Sequence, residues 1–172
     1  CGQLLSVRLR INLLMSLGPS LFRNMDSDMN DLVLVLHLVS TCIMVGVIWF
    51  VQLVHYPLLA VVPVDSATQV AEKHQRWTGF VVGPPMAVEG VTTLLLWANT
   101  PSGVSWWLTW ANGAFLAVAL LCTIFLSVPR HARMVAAPDA QVGRELVQTN
   151  WPRTVSWTIC GFLAAVMLIQ GM

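Results

Sequence analysis

Four long apolar runs separated by short polar stretches are the dominant pattern of this chain. The first runs from Leu32 to about Val54, the second from about Thr78 to Ala98, the third from about Leu108 to Val128 and the fourth from about Trp151 to Ile169. A helix needs about 20 mostly apolar residues to cross the hydrocarbon core of a bilayer, and each run meets that length. Asp31 stands where it can cap the first helix. The second run is interrupted by Gly83-Pro84-Pro85. Proline removes a helical donor and bends the helix, so a kink is expected there, or else freed backbone that lines a cavity. Ser66 to Trp77, with Asp65 or Ser66 as its cap, and Asp139 to Thr149, following Pro138, read as two further helical stretches. They either lie at the membrane surface or extend the second and fourth spans. No internal repeat is visible. The expected fold is all-α, a polytopic four-transmembrane-helix bundle in up-down order, with one domain over residues 32–172 and a flank over residues 1–31.

Composition strengthens the membrane reading. Hydrophobic residues make up 56% of the 172 positions and charged residues only 10%, with a mean hydropathy of +0.71. An ordinary soluble domain is about 45–50% apolar and about 25% charged. Tryptophans mark the expected interfaces: Trp97, Trp106, Trp107 and Trp110 on one side, Trp77 and Trp151 on the other. The net charge of +1, with Lys73 the only lysine, offers no basic field for nucleic acid.

Lysine and arginine in short loops set orientation. The loop between the first two runs carries Lys73 and Arg76, and that between the last two carries Arg130, Arg133 and Arg144. The middle loop has none, and the N-terminal flank has Asp26, Asp28 and Asp31. Both termini are therefore expected outside, and the two longer loops inside, the cytoplasmic membrane. Residues 1–24 read as translated upstream sequence or as a short surface-lying amphipathic helix, with a start at Met25 or Met29. Cys42, Cys122 and Cys160 lie within apolar runs without metal-ligand spacing and read as small packing residues.

An ionisable group inside a span costs about 2.5–3.5 kcal/mol at the helix centre on insertion scales, so each one asks for a partner. His37 and Glu89 lie at similar depths below the outer ends of the first and second runs. They read either as a proton-handling pair or as a bond locking two helices, with Glu89 kept neutral by burial in the second case. A second group gathers at the opposite end: Gln52 and His55 on one helical face, His74, Arg130, His131, Asn150 and Arg153. Cations and neutral donors with few acids suit an anionic headgroup, a carboxylate or a polarised carbonyl. The plainer alternative is arginines and histidines reaching to the interface. His37 and His55 are about 27 Å apart along one helix and share no ion. His55, His74 and His131 meet only if the bundle brings them together, and no pair has the spacing of a metal site, so no metal is expected. No nucleophile elbow, phosphate loop, dinucleotide fingerprint or zinc-protease motif is present.

Trp49 to Leu58 (WFVQLVHYPL), Val82 to Glu89 (VGPPMAVE), Ser127 to His131 (SVPRH) and Thr149 to Thr154 (TNWPRT) resemble a family of small bacterial four-helix integral membrane proteins. That resemblance implies the fold over residues 32–172 and no particular activity. A weaker similarity is to the anthrone-oxygenase-like membrane proteins, which close the third helix with N-V-P-x-N and open the fourth with N-x-x-R. Asn150 and Arg153 match the second element, whereas Ser127 and His131 replace both asparagines of the first.

The leading expectation is a protein that binds a lipophilic or anionic small molecule at the polar inner layer. The alternative is a membrane-embedded oxidoreductase- or oxygenase-like enzyme, with Glu89 or His131 moving a proton and Arg153 with Asn150 holding an oxyanion. A proton-coupled transporter, which would need a homo-oligomer to form a pathway, or an accessory subunit comes after these. The sequence names no cofactor.

Overall fold

The computed structural model describes residues 27–137 and 139–172. The expectations placed on residues 1–26 and on Pro138 fall outside them. Four helices account for the described chain: α1 (Ser27–Leu59), α2 (Val64–Ala98), α3 (Trp106–Ala136) and α4 (Ala140–Gly171). Each is long and apolar enough to cross a membrane, and no strand occurs among the described residues. The two extra helical stretches expected in the loops are the first turns of α2 and α4, so both helices outrun their apolar runs.

Side-chain contacts fix the topology. Asn30 pairs with Asn99 and His55 with His74 across α1 and α2. Trp97 pairs with Thr109 and Thr68 with Val135 across α2 and α3. Asn112 pairs with Cys160 and Arg133 with Glu145 across α3 and α4. In each case the partner number falls as the other rises, so every sequential neighbour is antiparallel. Trp49–Thr158 and Gln52–Val147 close the ring between α1 and α4. Residues 27 and 172 lie at one end, here the terminal end, with the α2–α3 loop. The α1–α2 and α3–α4 connections form the far end. In the terminal loop Gly103 takes φ +105°, a left-handed backbone that glycine adopts without strain.

Two capping expectations are corrected. Asp31 does not cap α1, because the chain is already helical from residue 27. Neither Asp65 nor Ser66 caps α2: Pro63 precedes its first turn and fixes an extended entry, while the Ser66 hydroxyl turns back to the Pro63 carbonyl. Asp139 does cap α4, its carboxylate accepting from the Gln141 N–H at 3.0 Å.

The prolines act differently from one another. Pro84 and Pro85 sit inside an unbroken α2. Pro57 and Pro129 each follow a five-residue π-turn, Val51–His55 in α1 and Thr123–Ser127 in α3. Tyr56 N–H reaches the Val51 carbonyl and Val128 N–H the Thr123 carbonyl, the wide spacing that relieves a proline ring's clash with the preceding turn. In both helices the proline stands two residues after the π-turn, and both π-turns carry polar side chains of the far layer.

The interior alternates apolar and polar layers. Leu34, Leu96, Leu108 and Met167 pack at the terminal end, Met44, Ile48, Leu116 and Trp157 at mid-height, and Val51, Leu59, Met134 and Leu146 at the far end. Between and beside them lie buried His37, Thr41, Glu89, Thr92, Asn112, Gln52, Ser127, Asn150, Arg153 and Thr154. The outward faces are apolar, with Leu32, Val39, Ile43, Phe80, Leu94, Phe125 and Phe162 all exposed. Water rewards the opposite arrangement.

Candidate functional site

The polar layer nearer the terminal end is built from all four helices. In α2, Glu89 is fully buried, and both carboxyl oxygens are used: Thr41 Oγ1 of α1 donates to Oε1 at 2.9 Å and Trp157 Nε1 of α4 to Oε2 at 3.0 Å. His37 does not bond Glu89. Its Nε2 lies 3.1 Å from Asn112 Oδ1 and its Nδ1 2.9 Å from Thr92 Oγ1. Asn112 Nδ2 donates to the Cys160 carbonyl at 3.0 Å, so its oxygen faces His37 and His37 Nε2 carries a proton. The Thr92 hydroxyl also lies 2.8 Å from the Val88 carbonyl. It gives its single proton to Nδ1 of a neutral His37, or turns it to Val88 and accepts from an imidazolium, so both charge states of His37 keep full hydrogen bonding. The expected His37–Glu89 pair is thus a shared layer in which each group has its own partners.

The far layer ties α1, α3 and α4. Gln52, on the first π-turn, donates to the Val147 carbonyl at 3.1 Å, and its Oε1 accepts from Asn150 Nδ2 at 2.8 Å and Thr154 Oγ1 at 3.2 Å. Arg153 Nη1 donates to Ser127 Oγ, on the second π-turn, at 2.8 Å and to Asn150 Oδ1 at 2.9 Å. Its guanidinium carbon sits 5.4 Å from the centroid of the Trp157 ring. Arg153 is 8% exposed, and its buried Nε has no partner.

Beside this net lies a row of aromatic donors and acceptors. His55 Nε2 is 2.6 Å from His74 Nδ1, which also meets Thr78 Oγ1 at 2.9 Å. The His74 and His131 ring centroids are 5.0 Å apart, and His131 Nε2 lies 3.0 Å from the hydroxyl of Tyr56. The Tyr56 hydroxyl in turn adjoins Arg153 and Ser127. Tyr56 is the only tyrosine in the chain and is buried. Although three histidines meet, no group of three histidine, cysteine or acidic side chains among the described residues is disposed to hold a metal ion.

Two cavities flank the row. An apolar groove of about 370 Å³ between α1 and α2 is walled by Gly46, Phe50, Val51, Trp77 and Val81, with His55 and Thr78 also lining it toward the far end. A pocket of about 300 Å³ between α2 and α3 is lined by His74, Gln75, Thr78, Val128, His131 and Ala132. Thr78 lines both.

Of the residues singled out in the sequence, Gln52, Asn150 and Arg153 form one network, and His55 and His131 belong to the adjoining row. Arg130 stands apart: its Nη1 caps the Leu126 carbonyl at 2.8 Å and its Nε is 3.5 Å from Glu145 Oε2. Thr41, Thr92, Asn112, Ser127, Thr154 and Trp157 were not singled out, yet they complete the layers. Three of them carried a signal, helical spacing from an ionisable group: Thr41 four residues after His37, Thr92 three after Glu89, Trp157 four after Arg153. Comparison of the chain with protein-family models, with curated proteins and with solved structures finds no match to any of them.

Proposed function

We propose that this chain is a multi-pass protein of the cytoplasmic membrane that takes a lipophilic small molecule from the bilayer into the α1–α2 groove and holds its polar head against the far layer. Membrane insertion rests on the inside-out polarity of the bundle: a buried carboxyl, imidazole, amides and guanidinium within, and aliphatic and aromatic side chains without. The placement of both termini outside rests on Lys73, Arg76, Arg130, Arg133 and Arg144 gathering toward the far end, with none in the α2–α3 loop.

The observation that carries the binding reading is the groove. Its apolar walls open toward the bilayer, and its far part meets a hydroxyl and an imidazole, the combination of apolar surface and a few polar groups that ligand sites share. A Cβ added at Gly46 meets nothing within 4 Å, so the glycine leaves this wall open without serving helix packing. Protein purified in mild detergent from wild type and from a Gly46→Leu variant, compared by native mass spectrometry and solvent extraction, tests the reading. A lipophilic molecule bound to the wild type and lost from the folded variant is expected. Equal retention by the two counts against the groove.

A second reading, catalysis on the same molecule, is favoured by the Tyr56–His131 hydrogen bond beside His74. A phenol bonded to an imidazole is equipped to pass a proton to or from a ligand oxygen.

A further inference from the structure

The imidazole row has two sides. On one, the apolar groove between α1 and α2 reaches His55 and Thr78. On the other, the pocket between α2 and α3 reaches His74, His131 and Thr78. That pocket continues outward: it shares Gln75 and Ala132 with an open cleft of about 590 Å³, also lined by Glu72, Arg76 and Val135. Glu72 and Arg76 belong to the polar stretch before the second apolar run. The cleft therefore starts in the polar surroundings of the far end, and the pocket carries it inward to the two imidazoles. An amide, a hydroxyl and two imidazoles around about 300 Å³ supply the polar partners that ordered water needs.

His55 and His74 join the two sides. Nε2 of His55 and Nδ1 of His74 are 2.6 Å apart, so one proton lies between the rings. With both rings neutral, the ring that carries this proton has its other nitrogen bare, and its partner has its outer nitrogen protonated. The pair thus always presents one acceptor and one donor at its two ends, Nδ1 of His55 and Nε2 of His74. Among the described residues neither end nitrogen makes a hydrogen bond, and the buried atoms without a partner are Nε of Arg130 and Nε of Arg153. Both ends are therefore reachable, His55 from the groove and His74 from the pocket.

We propose that the α2–α3 cleft is a water-filled inlet from the far side, and that the His55–His74 pair passes protons between this water and the molecule held in the groove. When a groove-bound hydroxyl gives its proton to His55 Nδ1, its electron pair stays on the oxygen. The His55 Nε2 proton then crosses to His74 Nδ1, and the His74 Nε2 proton leaves to water. The reverse order delivers a proton to the groove. One proton enters and one leaves, so neither ring gains a charge. The inference rests on the groove reading for the molecule served, whereas the inlet and the relay are tested without that molecule.

The test is water-edited solid-state NMR of the full-length protein, 15N-labelled at histidine, in lipid bilayers, with each ring assigned by single substitution. In wild type the His74 and His131 rings are expected to receive water magnetisation early and His55 later, while buried His37 stays silent. His74→Phe is expected to abolish transfer to His55 and to leave that to His131. Ala132→Phe, at the junction of cleft and pocket, is expected to abolish transfer to all three. Transfer to His74 and His131 that ignores Ala132→Phe overturns the inlet. Transfer to His55 that survives His74→Phe overturns the relay, and a row that is dry in wild type overturns both. Should His74→Phe fail to fold, the order of transfer in wild type decides the relay, which falls if His55 is reached before His74. None of these outcomes bears on the groove reading, which stands or falls with the Gly46→Leu comparison.

Discussion

Trp157 joins the two polar layers through two parts of one ring: its indole N–H donates to Glu89 at 3.0 Å, and Arg153 lies against its face, 5.4 Å from the centroid. An indole presents a positive edge and a negative face, so the edge suits the carboxyl and the face suits the guanidinium. Trp157 therefore ties Glu89 and Arg153, one from each layer, to a single rigid side chain.

Glu89 provides a sharp comparison of variants. In Glu89→Gln the new amide oxygen still accepts from Trp157, and the amide N–H donates to Thr41, whose hydroxyl reverses its role. The expected loss of stability is under about 1 kcal/mol. Glu89→Met leaves the Trp157 N–H buried without an acceptor and costs about 1–3 kcal/mol. Thermal unfolding in detergent separates the two; equal losses would contradict the hydrogen bonding described.

Asn112 links α1 to α4 by accepting from His37 and donating to the Cys160 carbonyl. Asn112→Leu strands His37 Nε2 and should cost about 1–3 kcal/mol. The exposed Asn99 makes only a 3.4 Å contact with Asn30, and Asn99→Ala should stay within about 0.5 kcal/mol of wild type. Parallel melts of the two variants check the contrast.

Glycines at two positions predict opposite outcomes. A Cβ at Gly113 would collide with the Trp97 ring, which stacks on Trp110 at 4.7 Å and donates to the Thr109 carbonyl. Gly113→Ala should cost about 1–3 kcal/mol and alter the near-ultraviolet dichroism of the tryptophans. Gly46→Ala meets open space and should stabilise α1 by up to about 1 kcal/mol.

Glu145 receives Arg130 and Arg133 at 3.5 and 3.1 Å, at positions partly open to solvent. Glu145→Gln should cost no more than about 1 kcal/mol and leave ligand retention unchanged, because Arg130 faces this pair and not the groove. Reduced retention measured by native mass spectrometry would place Arg130 back in the binding layer.

The four helices were legible because each apolar run is long, and the ionisable residues were legible because lipid makes them conspicuous. Their partners were not. Thr41 and Thr92 are uncharged and had only their helical spacing from His37 and Glu89 to mark them, and nothing marks Asn112 until a neighbouring helix supplies His37. Trp157 was not among the tryptophans that mark the interfaces, and nothing in the sequence showed that it is fully buried between Glu89 and Arg153. The π-turns were not legible either: Pro84 and Pro85 lie inside a continuous α2, whereas single Pro57 and Pro129 each follow a π-turn that no apolar pattern marks. Helix pairing also decided that Arg130 turns to Glu145 while Arg153, 23 positions later, turns inward.

The central claim is that the α1–α2 groove holds a specific lipophilic molecule. Placing a photoreactive benzophenone residue at position 50, in place of the groove-lining Phe50, irradiating intact membranes and analysing the adducts by mass spectrometry tests it most directly, with position 43 on the exposed face of α1 as reference. A defined small-molecule adduct at position 50 that is absent at position 43 is the predicted result. Bulk phospholipid adducts at both positions, with nothing distinct at 50, would contradict it.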